Sequence, residues 1–437
     1  MSIPLDRLYH FIDNIASEIY GDCVVIYRFW PHGSKNINNL TNLLDDYSNW
    51  YSRTIFPSIW CNDQEPLDHE FYSKHVKTFN STWRSISKSI NLHHTPKNLN
   101  YYRNIFEKNI LLHSEKRSSN LKKYQLDNEL IPVYYWSHAV IARDWFRYAE
   151  HESFQKCTKK TFLIYNRAWS GTREYRLRFS DLLIERKLID QCQTNNNPVD
   201  TDLNIHYADH EFSNPQWKPN HVLENFLQPT TADANSSADF DTADYNATDI
   251  EVVLETLFDD DRLHLTEKSL RPIACGQPFI LTATYGSLEY LRGYGFKTFD
   301  SVWDESYDQI ADPEERLTAI VNLMQQISTW DESTKKNKLL QAQEIADYNQ
   351  QWFFSQDFFN LITIELKTNL KLAFKELNQC NNYKPWIDRW DQLLAYPEIV
   401  EFLNTNQDPY SPNKDTVNQS LLLAQNKLAE VANKNKS

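Results

Sequence analysis

Glycine is scarce in this chain, with seven in 437 residues, at 21, 33, 171, 276, 286, 293 and 295. It serves where backbone must take a positive φ or approach a ligand closely. The crowding of four of the seven between 276 and 295 therefore marks a segment under constraint, set either by a ligand or by helix C-caps at Gly276 and Gly295. Cysteine is sparse too: the six, at 23, 61, 157, 192, 275 and 380, form no CxxC pair. That excludes a zinc ribbon and a disulfide framework and implies a reducing compartment. No run reaches the about 18 apolar residues of a membrane span. The start, Met1-Ser2-Ile3-Pro4-Leu5-Asp6-Arg7, lacks the basic-then-apolar pattern of a secretion signal. A soluble, cytoplasmic protein without a membrane span is expected. Positive charge is not in excess either, and a net charge of −14 argues against a polyanion as the main partner. There is no internal repeat at solenoid periods.

The length suits two domains and a terminal appendage. Hydrophobic residues at 41% can fill two cores, and 13 Trp supply flat rings that fill those cores or stack on sugars and bases. Charge is unevenly spread. Residues 1–158 hold 18 Lys and Arg against 17 Asp and Glu, net +1, and nine of the 13 His, so the acidity lies in the remainder. The two halves are expected to face different partners.

Apolar runs at 23–30, 55–61, 109–113 and 132–137 read as strands, and 5–19 and 140–150 as helices. A polar stretch at 155–160 precedes a fresh strand at 161–165. A helix at 173–187, a strand at 250–258, a helix from Thr266, a strand at 278–282 and a helix from Ser287 follow. From Pro313 the pattern is helical to the end, where the last residues are expected to fray. Residues 207–248, rich in Asn, Asp, Ser and Thr, read as a surface insertion or mobile loop. The alternation predicts an α/β fold with mostly parallel sheets. The expected domains are 1–157, 158–330 and a helical extension at 331–437.

Two segments concentrate chemistry. In the first, Tyr165-Asn166-Arg167-Ala168-Trp169-Ser170-Gly171-Thr172-Arg173, a strand end feeds a helix start, where open α/β folds bind ligands. Its arginines suit phosphate through a planar donor fork, although Arg173 could equally pair with a carboxylate of its own helix. The second runs from Glu255 to Lys268 and ends His264-Leu265-Thr266-Glu267-Lys268. A strand delivers it and a helix takes it away, so free N–H groups and the positive helix end would face a diphosphate. Lys268 would add charge and Glu267 acceptor oxygens for a ribose diol, while Thr266 is also an ordinary helix cap.

Together these segments resemble the donor domain of the α-1,3-fucosyltransferase-like family of GT-B glycosyltransferases. There a strand ends in Ser-Asn-Cys, an Arg follows, and Tyr-Ile-Thr-Glu-Lys leads into a helix and a Gly-x-x-Pro strand. The counterparts are Asn166 and Arg167 with Arg173, then Glu255, His264, Thr266, Glu267 and Lys268, then Gly276-Gln277-Pro278. His264 stands where the family has Tyr, and Gly276 and Pro278 lie one residue closer together. The resemblance implies two Rossmann-like domains with a facing cleft, a nucleotide-diphosphate sugar as donor, Arg173 and Lys268 on the diphosphate, and Glu267 on the ribose. A looser match to the family's Glu-Ser-Pro, Trp60-Cys61-Asn62-Asp63-Gln64-Glu65-Pro66, implies Glu65 as base, with His69 and His138 as alternates. The whole chain also resembles uncharacterised bacteriophage proteins, which would place it in a host cytoplasm.

Inverting, metal-independent sugar transfer follows from these roles, because fixed cations stabilise the leaving diphosphate and a carboxylate takes the acceptor proton. Two other readings stay open: a metal-dependent GT-A enzyme using Mg2+ at the Asp259-x-Asp261 pair, and a non-catalytic nucleotide-sugar-binding protein. The acceptor is a glycan or small molecule, or a hydroxymethylated base in phage DNA. Residues 84–123, with nine Lys and Arg against two Asp and Glu, net +7, and interleaved aromatics, would suit DNA.

Overall fold

The computed structural model describes residues 11–12, 14–16, 18–19, 25–29, 58–62, 66–67, 109–119, 121, 130–152, 154–166, 168–200, 203–223, 226–227 and 240–381. It is an α/β protein that divides into two compact units. One comprises 1–5, 115–119 and 136–364, and the other 6–114, 120–135 and 365–437. Residues 136–157, read from sequence as the end of the first domain, thus belong with the strand and helices that follow them. So does the short strap 115–119.

The second of these units holds a four-stranded parallel sheet in the order β1 (Val25–Phe29), β2 (Ser58–Asn62), β3 (Asn109–His113) and β4 (Leu130–Tyr134). Ile110, Leu111 and Leu112 of β3 are fully buried, as an inner parallel strand requires.

The other unit holds five strands: β5 (Lys160–Ile164), β6 (Cys192–Asn196), β7 (Phe226–Leu227), β8 (Thr248–Leu254) and β9 (Phe279–Thr282). Their spatial order is β7-β6-β5-β8-β9, with only β7 antiparallel. From β5 the chain moves outward to β6, then returns past β5 to β8 and moves the other way to β9. The turning point, between β5 and β8, is the topological switch of a doubly wound sheet, and the crevice beyond those two carboxyl ends is where such folds hold ligands.

Helices among the described residues include α1 (Ser137–Trp145), α2 (Tyr175–Glu185), α3 (Thr242–Ala247), α4 (Glu267–Ala274), α5 (Ser287–Gly293), α6 (Pro313–Ser328), α7 (Glu332–Phe354) and α8 (Gln356–Asn381). Right-handed crossovers leaving the switch point in opposite directions put α2 and α4 on opposite faces of the sheet. The packing agrees: α2 lies against α6, and α4 against α1 and α7.

One sequence expectation changes and one open alternative is decided. Within the stretch 207–248, residues 207–223 are not a loose insertion. Glu174 of the α2 entry accepts hydrogen bonds from Ser213 N, Ser213 Oγ and Asn214 N, and Asp181 of α2 from Asn220 N and His221 N. Trp217 is buried and donates to Asp259. The polar composition suggested solvent, whereas these polar groups are satisfied against buried carboxylates. Of the crowded glycines, Gly276 and Gly295 take the helix-cap alternative. Gly276 and Gly295, at φ +61° and +87°, follow α4 and α5, and Gln277 N and Phe296 N donate back to Pro272 O and Leu291 O as in Schellman caps. A Cβ at Gly295 would lie 3.0 Å from the Trp352 indole of α7, so the close approach is to a packed helix.

Candidate functional site

The loop leaving β5 is pinned from both sides. Trp169 N and Ser170 N each donate to Asp200 Oδ2 at 2.9 Å. Buried Arg176 donates from Nη1 to Ala168 O at 2.7 Å and from Nη2 to Leu254 O at 2.6 Å, so one guanidinium ties this loop to the end of β8. Burial pushes the Arg176 pKa down, and neighbouring Arg173 adds to that shift. Beyond the pinned stretch the chain makes an exposed turn, Gly171–Arg173. Gly171 sits at φ +64° with open space where a Cβ would be. Arg173 is half-buried, and its Nε donates to Ser170 O at 3.1 Å.

At the end of β8, Glu255 is 0% exposed and accepts five hydrogen bonds: from Thr266 N at 3.0 Å, Ser269 N at 3.2 Å, Thr256 N at 3.1 Å, Thr266 Oγ1 at 2.7 Å and Ser269 Oγ at 2.5 Å. Thr266, the N-cap of α4, accepts from Lys268 N at 3.3 Å. The start of α4 is therefore closed largely by the protein's own carboxylate, and three of the amides offered to a diphosphate, Thr266 N, Lys268 N and Ser269 N, already have acceptors. Glu255, Thr266 and His264 are all buried, and Glu255 and Thr266 bond the segment to itself.

Lys268 does face outward, with its side chain 18% exposed. Its Nζ lies 2.7 Å from Glu267 Oε1, 3.4 Å from Thr256 Oγ1 and 3.5 Å from Thr266 Oγ1. Behind it, Glu267 Oε2 is 3.5 Å from Nε2 of His138, a residue of α1, and the His138 ring meets His264 edge to face at 5.2 Å. Trp136 Nε1 donates to Leu265 O at 3.0 Å and so locks the start of α1 beside this segment.

Of the residues singled out from sequence, Arg173 and half-buried Asn166 lie beyond β5, and Glu267 and Lys268 in the segment after β8, at the carboxyl edge of neighbouring strands. Arg167, Glu65 and His69 lie outside the described residues, as does most of the basic stretch 84–123. Within that stretch Arg117 is taken up internally: it donates to Asp261 O and Tyr285 O and lies 3.9 Å over the Tyr285 ring.

The acidic triplet is likewise engaged. Asp259 accepts from Asn214 Nδ2 and Trp217 Nε1, and Asp260 pairs with Arg262 through both carboxylate oxygens. One carboxylate of the Asp259-x-Asp261 pair is thus held by the 203–223 segment. Asp181, Glu185 and His221 bring ligand-type atoms within 4.8 Å of one another, but Arg178 bonds both carboxylates and His221 Nδ1 is 2.7 Å from Asp181. That group works as an ion-pair staple on the 203–223 segment. Asp200, Arg176 and the contact of His138 with Glu267 were missed from sequence. Their partners lie from eight to 129 positions away, and no local pattern marks them. Compared with known proteins, the chain matches no family model, no curated protein and no solved structure.

Proposed function

We propose that the chain is a glycosyltransferase that takes a nucleotide-diphosphate sugar at the carboxyl edge of β5 and β8. One observation carries the reading: the turn bearing Arg173 leaves β5 and the segment bearing Lys268 leaves β8, the two strands flanking the switch point. Two cations on either side of that crevice suit a pyrophosphate, whose charge grows as the sugar departs. The exposed Gly171-Thr172 backbone adds amides that a helical turn leaves without internal acceptors. Glu267, held beside Lys268, supplies an acceptor oxygen for a ribose hydroxyl.

The resemblance to α-1,3-fucosyltransferase-like enzymes supports a GT-B arrangement, an inverting course and no metal requirement. In that reading Glu65 takes the acceptor proton and Arg167 supports the diphosphate. The acceptor hydroxyl belongs to a glycan or small molecule, or to a hydroxymethylated base in phage DNA bound through residues 84–123.

The test is a thermal-shift panel of UDP-, GDP-, CMP- and dTDP-sugars on the full chain and on Arg173→Ala and Lys268→Ala. A ligand that binds only the folded state raises the melting temperature by mass action, about 2.7 kcal/mol at a hundredfold excess over Kd. One nucleotide should stabilise the unmodified chain and lose most of its effect in both variants. If none stabilises it, the reading is wrong.

A further inference from the structure

We infer that His138 is a positioning residue that acts through Glu267 to govern the net charge around Lys268 and the direction of its ammonium. The three groups form a line from interior to edge. His138 is 1% exposed on α1, Glu267 is buried at the first position of α4, and Lys268 is the partly exposed end. The two Glu267 oxygens are divided: Oε2 lies 3.5 Å from His138 Nε2, and Oε1 lies 2.7 Å from Lys268 Nζ.

The geometry has an electrostatic consequence. Glu267 beside Lys268 leaves the pair near neutrality toward anything approaching the edge. An imidazolium behind Glu267 turns the trio to net +1 and draws the carboxylate inward, freeing the ammonium for an anion. Among the described residues, Glu267 from α4 and His264 from the loop leading into α4 are titratable side chains in contact with His138. Histidine is the side chain whose ordinary titration falls between about pH 5 and 8. The cationic strength of the edge should accordingly rise as pH falls through the titration of His138. The meaning of this for a donor diphosphate rests on the function proposed above, but the coupling is a property of the protein alone.

The experiment reads Lys268 directly. Lysines are reductively methylated with 13C-formaldehyde, the Lys268 resonance is assigned by its loss in Lys268→Arg, and its position is followed from about pH 5 to 9. The expected result is an inflection in the histidine range, with the same midpoint as the His138 ring protons in the unmodified chain. The inflection should vanish in His138→Gln, which keeps an amide donor for Glu267 but cannot titrate, and in Glu267→Gln. It should persist in His264→Gln. The midpoint comparison is made on the unmodified chain and uses variants only for assignment, Lys268→Arg at the partly exposed end of the line, so it decides the matter even if Glu267→Gln unfolds the chain. Absence of the inflection, a midpoint unlike that of His138, or its survival in folded His138→Gln would overturn the inference. If the inflection is present and the nucleotide panel is negative, the coupling stands and the proposed function falls.

Discussion

Glu255 offers the sharpest test of how the edge is built, because its two candidate roles predict opposite responses to removal. A buried carboxylate waiting for a ligand is destabilising until the ligand arrives, and its replacement would be neutral or stabilising. A carboxylate that accepts five hydrogen bonds should instead be missed. In Glu255→Gln the new amide group can take the Oε2 position, where the Thr266 hydroxyl can turn to accept from it and only Thr256 N loses its acceptor. Thr256 is half-exposed and can reach water, so the cost should be about 1–2 kcal/mol. In Glu255→Ala the buried Thr266 N and Ser269 N also lose their acceptor. At about 1–3 kcal/mol for each stranded group, the loss should reach roughly 3–5 kcal/mol, a large part of a domain's ordinary stability. Urea unfolding of both variants without nucleotide measures this, and the order should be unmodified chain, Gln, Ala. An alanine variant as stable as the unmodified chain would refute the clamp and return Glu255 to the ligand.

Two further outcomes concern pH. Burial pushes the Glu174 and Asp181 carboxyls up, but hydrogen bonds outweigh it and hold both below their ordinary 4.5 and 3.8: His210 and Ser213 bond Glu174, and Asn220 and His221 bond Asp181. Their contribution is full above the ordinary values and is lost as pH falls through the lowered ones. Hydrogen exchange at residues 213–214 and 220–221, corrected for intrinsic rate, should therefore accelerate between about pH 5 and 3 before that of β8; simultaneous loss would count against the staple. Glu305 goes the other way, pushed up to about 7 by burial against hydrogen bonds from Thr298 and Phe299 N and the nearby Arg292. With the folded pKa raised, stability falls as pH rises from about 4.5 to 7, so Glu305→Gln should melt higher than the unmodified chain at about pH 8 and no higher below about pH 5. A gap independent of pH would show that the carboxyl is not strained.

What the sequence disclosed depended on whether the determining contacts were local. β5 and β8 were legible because strands buried on both faces carry continuous apolar runs, and α4 was legible from its Thr266 cap. β6, Cys-Gln-Thr-Asn-Asn, was not, since it lies toward the outer side of the parallel set and carries no apolar period. Within the site, Arg173 and Lys268 announced themselves by standing at strand-to-helix junctions. The contents of the α4 start did not, because the carboxylate that fills it enters from 11 residues upstream. The same blindness turned residues 207–248 into a supposed loose insertion, since the anchors of Asn214 and His221 on α2 and its entry lie some 40 positions away.

These long-range carboxylates also explain how a chain with so little glycine shapes the carboxyl edge of its sheet. Asp200, Glu174, Asp181, Glu255 and Asp308 each accept at least two backbone amides from loops or helix starts. Arg176 and Arg316 serve the carbonyls in the same way, Arg316 reaching Phe258 O, Ala283 O, Ile310 O and Ala311 O. Buried backbone groups need partners, and here acidic and basic side chains provide them where regular structure stops. Part of the acidity of the chain is thereby turned inward. An amide held by a carboxylate cannot also hold a phosphate, so the starts of α4 and α5, closed by Glu255 and Asp308, are poor anion sites despite their helix dipoles. Under the proposed function, anion recognition at this edge falls mainly on side-chain cations. For that reason the charge around Lys268, with the imidazole behind it, should matter more here than backbone geometry does in a glycine-rich phosphate loop.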